Sequence, residues 1–94
     1  MDTEEQGRCR SLEEALRAIY RIQMCHFYPY EVVSQIMEEL NLSEEDIIRM
    51  IRALIRKGWL STRGFFAEFF LRPGYISSFP VIISAAGLKR IKEG

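Results

Sequence analysis

NLSEEDIIRMIRALIRKGWL, residues 41–60, places three consecutive acids ahead of a run whose apolar residues return on a helical period. Ser43 stands where a helix N-cap is needed, and Asp46 three positions on makes a weaker form of the capping box. Ile47, Met50, Ile51 and Leu54 form the expected buried stripe. Gly58 supplies the stop. Asn41, which tolerates the left-handed conformation, closes whatever helix comes before.

That preceding helix is predicted from Pro29, whose missing N–H suits a first turn, through Val32, Val33, Ile36, Met37 and Leu40. Further upstream, Ser11 with Glu14 reads as a capping box, and Leu12, Ala15, Leu16, Ile19, Ile22 and Met24 spread apolar character over more than one face. A first helix is therefore expected from Leu12 to about Cys25, central to the core or shared with a partner subunit. Residues 1–10 are expected as a frayed tail, and 11–94 as the domain.

Beyond Gly58 the pattern changes. WLSTRGFFAEFFLRPGYISSFPVIIS, residues 59–84, is rich in aromatic and β-branched residues, with a turn at Pro73 and Gly74. Two or three strands are expected, one ending near Leu71 and one spanning roughly Pro80 to Ser84. Alternation puts Phe65, Ala67, Phe69 and Leu71 on one face of the first strand. Phe66 and Phe70 then fall on the other face, as a partner surface or under the terminal helix. SAAGLKRIKEG closes the chain as a short helix weakened by Gly87.

Bulk composition narrows the function. Ninety-four residues, 48% hydrophobic and 28% charged, make one small globular domain. No apolar run suggests a membrane span, and the polar, acidic start is unlike a signal peptide, so the cytoplasm is expected. The net charge is zero, yet residues 1–46 hold 11 acids against 4 bases and residues 47–94 hold 9 bases against 2 acids. Such a split hints at a nucleic-acid face; the plainer alternative is attraction between the halves, within a chain or head to tail in a dimer.

YEVVSQIMEELNLSEEDIIRMIRALIRKGWLS, residues 30–61, resembles the core of the winged helix-turn-helix family. The likeness rests on the Leu-x-Leu-Ser turn, the apolar spacing of the third helix and the Lys-Gly-Trp-Leu exit. VIISAAGLKRIK, residues 81–92, is similar to the last strand and following helix of small bacterial and archaeal regulators of that family. The resemblance implies an α+β, mainly α fold of three helices, a β-hairpin wing and a short C-terminal helix. It also implies a double-stranded DNA-binding transcriptional regulator, with the third helix in the major groove. Carried across residue by residue, it gives Arg49, Arg52, Arg56 and Lys57 to phosphate or guanine. Arg63 and Arg72 on the wing would hold the flanking backbone, and Glu45 and Ile48 would lie near base edges. The sequence departs from the family pattern at Met37, where a small residue is usual, and at Asn41, where Gly is usual. Winged helices also serve as protein-docking modules without sequence-specific DNA binding, which is the competing reading.

The acids have a structural role to fill whatever the function. Glu44, Glu45 and Asp46 complement the helix dipole, and Glu45 lies four residues before Arg49, the favourable order for a brace. A homodimer is expected through Leu12, Leu16, Ile19 and Tyr20 of the first helix with Phe66 and Phe70. Cys9 and Cys25 with the single His26 do not make a metal site. Cys25 reads as a buried small hydrophobe and His26 as a structural residue at a helix end. Cys9 is an idle thiol or an intermolecular disulfide, the latter compatible with a thermophilic source. No nucleophile with a base, no glycine-rich phosphate loop and no carboxylate cluster is legible, so neither an enzyme, a cofactor nor a small-molecule effector is expected.

Overall fold

The computed structural model describes residues 3–25 and 28–93, with side chains from Leu12 onward. Five helices follow in order: α1 (Thr3–Met24), α2 (Val32–Leu40), α3 (Glu44–Arg56), α4 (Ala67–Phe70) and α5 (Ala85–Glu93). Short 3₁₀ turns occupy Pro29–Glu31 and Ile76–Ser78. α1 begins before Leu12, so Ser11 and Glu14 lie inside a helix rather than at its start. His26 and the side chain of Cys9 lie outside the described residues.

The α2–α3 corner follows the sequence closely. Asn41 is left-handed, at φ 55° and ψ 54°, which turns the chain back so that Leu42 N–H donates to Met37 O at 2.9 Å. Ser43 Oγ then accepts from Asp46 N–H at 3.2 Å, satisfying one of the open donors of α3. α3 ends as Gly58, at φ 79°, lets Trp59 N–H reach Leu54 O. Leu16, Ala18, Ile19 and Ile22 of α1 meet Val32, Val33 and Ile36 of α2 and Ile47, Ile51 and Leu54 of α3 in one buried core. Met37 packs on its margin, half-buried. Outside the core, Arg21 of α1 pairs with Glu39 of α2 at 2.5 Å. The guanidinium pKa is raised, first by that hydrogen bond and then by the carboxylate's charge.

The expected wing is not there. Among the described residues the only β pairing is one antiparallel bridge, Leu60 to Ile83, bordered by Ser61 N–H to Ile82 O and Ser84 N–H to Trp59 O. The fold is helical, and the β-hairpin of a winged helix is overturned by it. FFAEFFL coils instead of extending. Phe65 and Phe70 both turn edge-on to the ring of Phe79, at centroid distances of 5.3 Å and 6.3 Å, and sit 5.9 Å from each other. Phe79 is fully buried. A strand would have sent Phe65 and Phe70 to opposite faces; the turn of α4 brings both onto one buried ring, and removal of that aromatic area from water favours the coil.

Residues 79–84 form a strap that the remaining elements hold by its backbone. Val81 N–H donates to Pro29 O at 3.0 Å, and Gln23 Nε2 donates to Val81 O at 2.8 Å. On the opposite side, Ser84 Oγ donates to Gly58 O and accepts from Gly87 N–H, starting α5 against the end of α3. Gly87 is buried because no larger residue fits. A Cβ there would lie 2.3 Å from Trp59 O and 2.8 Å from Ile83 Cγ2. Among the described residues no helix is long and apolar enough to cross a membrane.

Gly87→Ala tests this packing by its sign. In an open helix Ala would add about 1 kcal/mol of stability; here overpacking against backbone is expected to cost roughly 1–3 kcal/mol. Thermal unfolding should show a midpoint lowered by several degrees, and a raised midpoint would contradict the contact.

Candidate nucleic-acid interface

α3 presents three stripes, each set by the 3.6-residue turn. Ile47, Ile51 and Leu54 face the core. Glu44 and Arg52 meet the chain that follows, residues 66–75, which arches past the helix. Glu44 Oε2 accepts from Gly74 N–H at 3.2 Å, and Arg52 donates from both terminal nitrogens to the two oxygens of Glu68, at 2.9 Å and 3.2 Å. Glu45, Asp46, Arg49 and Arg56 form the outer, exposed stripe.

This division revises several expected roles. Ile48 is half-buried and packs against the core, whereas Glu45 is exposed. Arg49 is braced by Asp46 at 3.7 Å, three residues before it, rather than by Glu45. Arg52 is engaged by Glu68. Arg72 is not on a wing: its guanidinium lies 4.9 Å from the Phe69 ring and 4.5 Å from the Tyr75 ring, and its Nε–H donates to Phe69 O. Arg63 is exposed in the turn before Gly64, also without a hairpin to carry it.

Arg56 and Lys57 remain exposed at the end of α3, and the fold adds partners to them. Lys57 Nζ lies 5.6 Å from the Trp59 ring centroid, and the Arg90 guanidinium of α5 lies 5.9 Å from the same ring. Two basic segments separated by more than thirty residues thus meet on one indole, which attracts both cations through its π face. Arg90 also pairs with Glu13 of α1, while Lys89 and Lys92 extend the basic face of α5. Neither Trp59 nor Arg90 stands out in the sequence as a site residue. The Lys-Arg-x-x-Lys grouping of α5 carries charge, but nothing in it says what it faces.

The residues expected at a dimer interface divide as well. Leu16 and Ile19 are fully buried inside this chain, so a second subunit has no access to their side chains. Leu12 and Tyr20 are half-buried, and Phe70 belongs to the aromatic cluster on Phe79. Phe66 alone of that set is prominent, at 77% exposure, with Phe69 and Tyr75 at 45% each beside Arg72. Cys25 is a free, exposed thiol and not a buried hydrophobe; it follows the last turn of α1, where its N–H donates to Ile22 O.

Comparison of the chain with protein-family models, with curated proteins and with solved structures found no match.

Leu16→Ala measures where that side chain is used. As a core deletion it is expected to cost about 2–5 kcal/mol in denaturant unfolding. The midpoint should be the same at low and high protein concentration; one that rises with concentration would return Leu16 to an interface between subunits.

Proposed function

We propose that this chain is a helix-turn-helix module that binds double-stranded DNA chiefly through its phosphates. The observation that carries the reading is the convergence of Lys57 and Arg90 on Trp59, which joins the basic end of α3 to the basic face of α5. Arg56 continues this positive surface at the end of α3, beyond the Asp46–Arg49 pair. Arg and Lys neutralise a phosphate backbone without reading sequence, and the π face of Trp59 holds Lys57 without cancelling its charge, while Arg90 shares its charge with Glu13.

Base reading is less well supported than backbone binding. The first turn of α3, which meets base edges in helix-turn-helix readers, here carries Glu44, Glu45 and Asp46. The Glu44 carboxylate is committed to Gly74 and that of Asp46 to Arg49. These acids repel phosphate, so a duplex would approach the later turns of α3 and α5. A docking module for another protein is the second reading, and the exposed Phe66, Phe69 and Tyr75 favour it.

Salt dependence separates the two. Fluorescence anisotropy with a mixed-sequence duplex is expected to show log-affinity falling linearly with log-salt, with a slope of about −0.9 for each neutralised phosphate. Replacing both Arg56 and Lys57 by Ala should make the slope shallower by about 2 and weaken binding to every sequence alike. Absence of duplex binding at low salt by the folded protein would overturn the proposal in favour of protein docking.

A further inference from the structure

We infer that Glu68 is an internal stand-in for a DNA phosphate, withholding Arg52 from the duplex. This rests on the DNA reading above and concerns the regulation of the same surface. Arg52 belongs to the run Arg49, Arg52, Arg56 that gives α3 its charge, yet its guanidinium meets both oxygens of Glu68 in a fork. The same two-pronged geometry serves phosphate, because the planar guanidinium presents paired N–H donors to paired oxygens. Glu68 and Glu93 are the only acids among residues 47–94, and Glu68 stands directly on an arginine of α3.

The arch that carries Glu68 is held so that the carboxylate stays in place. Phe65 and Phe70 flank it in sequence, and both are anchored edge-on to the buried Phe79. On the far side of the arch, Gly74 N–H is tied to Glu44 of α3. Glu68 itself remains 64% exposed and Arg52 39% exposed, so the pair lies in contact with water and is screened by salt. An exposed pair of this kind opens without disturbing the core. The arch thereby keeps Arg52 neutralised, while Arg56 and Lys57, exposed at the end of α3, stay available.

The experiment uses the whole chain with a mixed-sequence duplex, comparing wild type, Glu68→Gln, Arg52→Gln and the double variant across a salt series. Both substitutions are at positions in contact with water, and circular dichroism checks that each protein is folded. Glu68→Gln is expected to tighten binding about two- to fivefold and to steepen the salt slope by about 0.9, one added phosphate contact. Arg52→Gln alone should leave the wild-type slope unchanged, and in the double variant the added increment should vanish. If wild type binds and Glu68→Gln shows the same slope, or if the double variant keeps the increment, the latch is overturned and DNA binding stands. If neither wild type nor Glu68→Gln binds at low salt, DNA binding fails and the latch fails with it.

Discussion

Burial of Phe79 is the constraint on which the rest of this fold depends. Its ring lies wholly inside the molecule, with Phe65 and Phe70 turned edge-on against it. Loss of a buried phenylalanine typically costs about 3–5 kcal/mol, a large share of the net stability of a domain this small. The backbone on either side of Phe79 inherits the consequence. Upstream, residues 65–78 must coil to bring two phenylalanines onto one ring. Downstream, residues 80–84 must run extended through the core margin, where Pro29, Gln23, Trp59 and Ser61 satisfy their peptide groups.

The same closure decides what α3 can offer a partner. Because the strap seats α5 against Trp59, with Gly87 in contact with the Trp59 carbonyl, Arg90 reaches the indole that Lys57 also meets. Because residues 66–75 arch past the first turns of α3, Glu44 and Arg52 are engaged from within the chain. The helix is therefore electrically uneven along its length. Its start is acidic and internally tied, and its end is basic and open. Backbone-dominated attraction to a polyanion suits that polarity better than a base code read from the first turn.

Local chemistry made the helical half legible. Ser43 as cap, Asn41 in the left-handed region, Gly58 as stop and the stripe Ile47, Ile51, Leu54 all depend on residues within a few positions of one another, so spacing alone reveals them. FFAEFFL was not legible in the same way. Seven residues with apolar side chains nearly throughout satisfy a period of two and a tight coil equally well. Only the presence of Phe79, eight residues beyond the end of the stretch, makes the coil the better burial. Cys25 was misread, and the close packing at Gly87 went unseen, for a related reason. Whether a small residue is exposed, or is small because another backbone touches it, depends on neighbours distant in the chain.

For the candidate interface, the sequence by itself determined which charges exist and which of them ride on α3: the acids at its start and Arg49, Arg52 and Arg56 along it. Helical periodicity is a local property, so these assignments to one helix needed no tertiary information. The tertiary structure alone decided which of those charges remain open. It set Glu68 on Arg52, laid Arg72 against the Phe69 and Tyr75 rings, and brought Arg90 and Lys57 to the one Trp59 ring. Each of these is a contact fixed by where the core lets the chain pass. The chain's path follows from aromatic burial around Phe79, and no charge pattern in the sequence records it.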